Sequence, residues 1–142
     1  MIHIFKGPDA PLVHFGQTDQ IVSLGALAKE SGYRLGALAR KLKLTKRRLI
    51  REISESLELP AIPWIRELRY QHICSALISD EKLQTIATEH GFSSYSGFYD
   101  EVLRVSGMSP KLLQNRLREA QKKIIERRYL EQRTKNPEKR NV

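Results

Sequence analysis

Four basic residues, Lys46, Arg47, Arg48 and Arg51, fall within six positions of the chain. They follow Thr45, a residue type that commonly caps the N-terminus of a helix, so the sequence predicts a helix over 46–57 that begins with these side chains. Basic groups lie unfavourably beside the positive end of a helix dipole. The pattern indicates either an ordinary solvated basic face or a surface whose anionic ligand supplies the compensating charge.

The residues before Thr45 favour the second alternative, a surface that binds an anionic ligand. Leu35, Leu38, Ala39 and Leu42 have helical spacing, and only a short turn separates them from the basic helix. In a helix-turn-helix motif, the N-terminal residues of the second helix contact base edges and phosphates of DNA. This stretch is therefore a candidate DNA-reading head.

Other kinds of chemistry find little support in the sequence. There is no Gly-rich phosphate loop, no G-x-S-x-G elbow and no H-E-x-x-H motif. One cysteine makes neither a disulfide nor a thiolate zinc cluster within the chain, and Cys74 lies in an apolar stretch, which favours a buried thiol. His3 and His14 are expected to be packing or surface residues. We expect no catalytic residue, no metal and no cofactor.

The distribution of charge separates three regions. The net charge of the chain is +9, which favours polyanionic partners. Residues 33–59 carry eight basic and three acidic side chains. Residues 79–110 carry two basic and five acidic side chains, and residues 111–142 carry eleven basic and four acidic side chains. The first half and the tail are therefore the candidates for facing a polyanion. No apolar run is long enough to span a membrane, and we expect a soluble, cytoplasmic protein.

The predicted fold is all-α, with two helix-turn-helix subdomains joined by a long central helix. We assign residues 1–17 to an N-terminal arm, a hairpin being one possibility. A DNA-binding domain follows over 18–118, composed of a first unit at 18–62, a linker helix at 63–78 and a second unit at 79–118. The linker helix has apolar residues on more than one face and must be covered from two sides.

Two segments of this layout have further expected details. The first helix of the first unit is expected to be capped by Thr18 or Asp19 and to bury Ile21. Residues 119–142 form a basic C-terminal extension, helical at first and expected to fray beyond Tyr129.

The second unit contains the most recognisable motif. We expect helices over 81–90 and from Ser93 or Ser94 to about 104, followed by G-M-S-P. The run I-A-T-E-H-G-F-S-S-Y-S-G-F-Y with that G-M-S-P resembles the second helix-turn-helix of AraC/XylS-type transcriptional regulators. The upstream run L-G-A-L-A-R-K-L-K-L-T-K-R-R-L-I-R-E-I is similar to the first, and the likeness covers roughly residues 18–118.

The resemblance implies seven helices and contacts to two adjacent major grooves on one face of double-stranded DNA. The positions it carries over for DNA binding are Lys46, Arg47, Arg48, Ile50, Arg51, Ser94, Tyr95, Ser96 and Tyr99. Arg47, Ile50 and Arg51 would face bases, and Lys46 and Arg48 phosphates.

The chain also departs from the pattern of that family. Asp100 and Glu101 occupy the second recognition helix where a basic residue is usual, Val102-Leu103 replace a Phe-Lys pair, and Glu58 replaces the glycine that closes the first unit.

Two classes of function follow from these observations. The first is a sequence-specific transcriptional regulator that reads DNA mainly through its first recognition helix. The second is a protein–protein modulator of transcription with the same fold, in which the acidic second head binds a protein. We further expect a monomer or weak dimer, with RNA polymerase as a candidate partner. We expect no membrane association and no evident pocket for a small-molecule effector.

Overall fold

The computed structural model describes residues 1–135, in which a small sheet precedes seven helices. The strands are β1 (Ile2–Lys6), β2 (Pro11–Phe15) and β3 (Gln20–Ser23). The helices are α1 (Leu24–Glu30), α2 (Leu35–Lys41), α3 (Lys46–Leu57), α4 (Ala61–Ile78), α5 (Leu83–Glu89), α6 (Tyr95–Ser106) and α7 (Pro110–Lys135). None of the helices within residues 1–135 is both long and apolar enough to cross a membrane.

The seven helices agree with the predicted pair of helix-turn-helix units, but the N-terminal sheet means that the fold is not all-α. The hairpin of β1 and β2 is present, and β3 adds a third antiparallel strand in the order β1-β2-β3. Ile4 and Val13 are cross-strand partners, and both are buried in the core of the first unit. The sheet therefore packs into the hydrophobic core of the first unit.

Strand β3 also corrects the predicted start of the first helix. Helix α1 begins at Leu24, after Ser23, whose Oγ accepts a hydrogen bond of 3.2 Å from the Ala26 N–H. Ile21 lies on β3 and is 58% exposed, so it is not part of a buried helical stripe. Pairing with β2 satisfies backbone groups of this segment, and that gain overrides its helical pattern.

Helix α4 lies between two hydrophobic cores, as its apolar pattern predicted. Ile65 is buried in the first core with residues of the sheet and of α1–α3. Ile73 and Leu77 are buried in the second core with residues of α5–α7. Pro63 lies in the first turn of the helix, where its missing N–H leaves no carbonyl unpaired.

The second unit follows the predicted order with shifted boundaries. Helix α5 spans Leu83–Glu89, so it is shorter at both ends than the predicted 81–90. Helix α7 begins at Pro110 and continues as one helix to Lys135, although fraying was expected beyond Tyr129. The expected tail over 136–142 lies outside the described residues.

The first and second units also touch each other directly. The turn at Gly32–Tyr33 lies against the turn at His90–Gly91, and the Tyr33 ring stacks on His90 with centroids 6.1 Å apart. The Tyr33 hydroxyl is 2.5 Å from Nδ1 of His72 on α4. Burial raises the pKa of Tyr33 to about 12. Burial, with smaller contributions from Lys29 and His90, lowers the pKa of His72.

Helix α3 ends at an uncommon left-handed residue. Glu58 caps the helix with φ of 58°, a conformation that costs L-residues about 1–2 kcal/mol and that glycine adopts freely. Its Oε2 accepts a hydrogen bond of 3.2 Å from Nζ of Lys6 on β1, but both side chains are well exposed, so the pair contributes little.

We therefore expect Glu58→Gly to stabilise the protein by about 1 kcal/mol, because relief of the left-handed strain outweighs loss of the exposed pair. Urea denaturation measures the change. The matched control is Glu55→Gly, which places glycine inside the same helix and should destabilise by about 0.5–1 kcal/mol. Equal losses in both variants would contradict the assignment of strain to Glu58.

The partly buried His72 predicts a dependence of stability on pH. An unfolded chain protonates histidine near pH 6.5, whereas the folded protein resists protonation of His72 until a lower pH. The stabilising contribution is therefore present above pH 6.5 and is lost as the pH falls toward the lowered pKa. The free energy of unfolding of the wild type should fall more steeply between pH 7.5 and 5 than that of His72→Gln. Parallel pH profiles of the unfolding free energy in the two proteins would contradict the prediction.

Candidate nucleic-acid interface

The first helix-turn-helix is formed by α2, the turn at residues 42–45, and α3. Lys43 has φ of 57°, and the N–H of Leu44 donates to the Ala39 carbonyl over 2.8 Å, which closes the turn. Thr45 then caps α3, its Oγ1 accepting from the Arg48 N–H at 3.1 Å. The cap leaves the first turn of α3 at the surface with its basic side chains directed away from the core.

The outward surface of α3 is basic and its inward surface is apolar. Leu49, Ile53 and Leu57 are buried in the first core. The four basic residues of the first turn and a half, Lys46, Arg47, Arg48 and Arg51, are all exposed. Arg47 and Arg51 are four residues apart and therefore share one face of the helix.

Two positions of α3 have more complicated surroundings. Ile50 is partly buried and packs against the first core, so only part of its side chain is available to a ligand. Arg48 lies beside Glu52 with Nε and Oε1 3.9 Å apart. Arg48 and Glu52 line an open cleft of about 510 Å³ between the sheet and the turn of the motif, together with Phe15, Lys41 and Lys43.

The second recognition helix, α6, presents a different surface. Ser94, one of the two serines predicted as its cap, caps this helix, with Oγ accepting from the Gly97 N–H at 3.1 Å. Tyr95 and Tyr99 are 36% and 39% exposed, and Ser96 and Asp100 are exposed beside them. This surface carries hydroxyl groups, aromatic rings and one free-standing carboxylate where α3 carries four cations.

Glu101 does not belong to that exposed surface. Its carboxylate lies 3.5 Å from the Arg69 guanidinium of α4 and 3.0 Å from that of Arg104, and its side chain is 22% exposed. The Arg69 guanidinium also lies over the Phe92 ring, 4.2 Å from the centroid. The acidic character that the sequence assigns to this helix is therefore reduced at the surface to Asp100.

Sequence reasoning overlooked two basic residues between the units. Arg34 and Arg40 are exposed and line a cleft of about 500 Å³ whose opposite wall includes Thr88, Phe92 and Ser93 of the second unit. The surplus of charge over residues 33–59 was the signal for them, but nothing local indicated that they face the second unit.

The residues considered for other chemistry are not arranged for it. Within residues 1–135, no three His, Cys, Asp or Glu side chains are grouped so that they could hold a metal ion. Cys74 is half-buried on α4, and burial raises the pKa of its thiol, which keeps the nucleophilic thiolate scarce.

Comparisons with known proteins agree with this architecture. A sequence profile described as a helix-turn-helix domain matches residues 38–116, more than half of the chain. A DNA-binding transcriptional dual regulator from Escherichia coli K-12 has 19% identity and a TM-score of 0.53, over 66% of this chain and 87% of that chain. An AraC-type transcriptional regulator from Chromobacterium violaceum has 17% identity and a TM-score of 0.52, over 66% and 88%.

A third similar structure is the DNA-binding domain of AdpA, solved in complex with a target DNA. It has 20% identity and a TM-score of 0.53, over 68% of this chain and 91% of that chain. At such identities the likeness to these structures concerns the fold alone. No curated protein sequence matches the chain.

The two capped recognition helices, the helix between them and the matched profile define a double helix-turn-helix domain. The chain belongs to the AraC-type family of helix-turn-helix, DNA-binding transcription regulators.

Proposed function

We propose that the protein is a sequence-specific regulator that binds double-stranded DNA mainly through α3. The observation that supports this most is the exposed cluster of Lys46, Arg47, Arg48 and Arg51 on the capped first turns of that helix. A helix in this position of a helix-turn-helix enters the major groove with its N-terminal residues against the bases. DNA phosphates would supply the negative charge that this end of the helix lacks.

The four basic residues have two different roles in this proposal. Arg47 and Arg51 share the outward face of α3 and read base edges, because a guanidinium donates two parallel hydrogen bonds to guanine O6 and N7. Lys46 and Arg48 flank that face and contact phosphates, which carry no sequence information. Ile50 offers its exposed edge to an apolar group such as a thymine methyl.

The second head would contact the next major groove with fewer strong interactions. Ser94, Tyr95, Ser96 and Tyr99 are exposed at the start of α6 and can donate hydrogen bonds to phosphates or bases. Asp100 lies among them and repels phosphate, although it can accept a hydrogen bond from a cytosine amino group. The first head therefore fixes the register, and the second adds a weaker contact.

Selection of bound sites from a random DNA pool, followed by footprinting, tests the proposal. We expect an enriched motif and protection over two successive helical turns on one face of the duplex. Equal binding to all sequences, or no binding at low salt, would refute sequence-specific recognition.

Substitutions in α3 should separate base readout from phosphate contact. Arg47→Ala and Arg51→Ala should each cost about 1–3 kcal/mol at the selected site and relax the preference at one or two base pairs. Lys46→Ala and Arg48→Ala should lower the affinity for all DNA sequences about equally. Lys29→Ala, which removes an exposed positive charge from α1, is the control for net charge. Identical behaviour of all four α3 variants would reduce the helix to an electrostatic patch.

Charge reversal in α6 tests the role of the second head. Asp100→Arg should tighten binding to most sequences and extend the footprint toward the second groove, because it replaces a repelled carboxylate by a phosphate-binding group. Asp80→Arg makes the same change in net charge at an exposed site outside α6 and should have a smaller effect. Loss of binding to the selected site in Asp100→Arg would mean that Asp100 reads a base.

One observation favours a second candidate function, the binding of a protein by α6. Tyr95, Tyr99 and Leu103, four residues apart, form an exposed aromatic and aliphatic row beside Asp100, with Leu103 42% exposed. Exposed aromatic residues are common at protein interfaces. In this case DNA protection would be confined to one major groove, and Tyr99→Ala would leave the affinity for DNA unchanged.

A further inference from the structure

Tyr33 has a backbone conformation that its residue type disfavours. Its φ is 58°, in the left-handed region, directly after Gly32 with φ of 64°. A bulky residue in this region is an outlier, of the kind that persists only when surrounding contacts hold it and that is enriched at functional positions. The strain therefore raises the question of what holds the Tyr33 side chain in place.

The contacts of Tyr33 join three parts of the molecule. Its hydroxyl is 2.5 Å from Nδ1 of His72 on α4, and its ring stacks on His90 of the second unit with an interplanar angle of 8°. His90, which caps the C-terminus of α5, is itself held, because its Nδ1 lies 2.7 Å from the Ile86 carbonyl of that helix. Tyr33 and His90 are 6% and 2% exposed, so this contact is shielded from water.

The backbones of the two turns are packed beside this ring. A Cβ atom added to Gly91 would lie 2.6 Å from the Gly32 carbonyl oxygen, so the turns approach as closely as glycine allows. One turn leads into α2 and the first recognition helix, and the other connects α5 to the second. A change in the distance between these turns would move α3 relative to α6.

We propose that Tyr33 is a positioning residue that couples the two helix-turn-helix units and thereby sets the spacing between the two DNA sites that the protein accepts. The inference about coupling concerns the protein alone, and its consequence for DNA rests on the proposed function. Without Tyr33, the units remain joined through α4 but lose the contact that fixes the angle between them.

The coupling is tested by the distance between spin labels in the DNA-free protein. Labels are attached to Ser54→Cys on α3 and Ser96→Cys on α6, both exposed positions, after the native thiol is removed by Cys74→Ala. We expect a narrow distance distribution when Tyr33 is present. Tyr33→Gly, which removes the ring and relieves the backbone strain, should broaden it.

The matched control is Lys43→Gly in the turn between α2 and α3. Lys43 has φ of 57° but is exposed and belongs to the first unit alone, so glycine relieves similar strain without removing a contact between units. The distribution should stay narrow in this control. Unchanged width in Tyr33→Gly, or equal broadening in both variants, would overturn the inference.

A second variant covers the case in which Tyr33→Gly does not fold, as circular dichroism would show. Tyr33→Phe keeps the buried ring and loses only the hydroxyl that bonds His72. It should broaden the distribution relative to the wild type, because the contact with His72 is lost, and a distribution identical to that of the wild type would then overturn the inference.

A binding experiment tests the consequence for DNA. The selected site is synthesised with one base pair inserted or deleted between its two halves, and affinities are compared with the original spacing. Wild type should lose affinity for the altered sites, whereas Tyr33→Gly should lose most of that discrimination and keep its affinity for the first half alone. Absence of all specific DNA binding would refute the proposed function but leave the distance measurement decisive for the coupling.

Discussion

Helix α4 has apolar residues on two sides, and neither side can be left in water. Ile65 belongs to the first core, and Ile73 and Leu77 belong to the second. Burial of a large aliphatic side chain is worth about 1.5–3 kcal/mol, so each end of α4 holds its unit firmly. The positions of α3 and α6 therefore both depend on α4, because each of these helices packs on one core and α4 contributes to both cores.

The polar face of α4 adds to this arrangement in a different way. Arg69 reaches Glu101 and Phe92 of the second unit, and His72, one turn further on, reaches Tyr33 of the first. These contacts are partly or wholly shielded from solvent. Unlike the hydrophobic contacts, they also depend on the relative direction of the two groups. The cores determine that the units are joined, and these polar and aromatic contacts restrict the angle at which they are joined.

Local sequence patterns predicted the helices that carry the candidate interface. The bounds of α3, and the cap of α6 to within one residue, follow from a capping residue and a regular apolar stripe, both of which are local signals. Strand β3 was missed because its residues also fit a helical stripe and its pairing with β2 is set by a turn in which Asp19 has φ of 55°. The inward position of Glu101 was missed for a related reason, since it depends on Arg69, which is distant in sequence.

Each of the two cores is formed by one continuous stretch of the chain, and this has a consequence for folding during synthesis. The buried residues of the first core end at Ile65, and those of the second run from Ile73 to Leu113. Domains fold as units during synthesis, and the ribosome needs about 2–10 s to add the residues between Ile65 and Leu113. Helix α3 can thus fold on the nascent chain before α6 has been synthesised, and Tyr33 gains its contact with His90 only after the second unit has emerged.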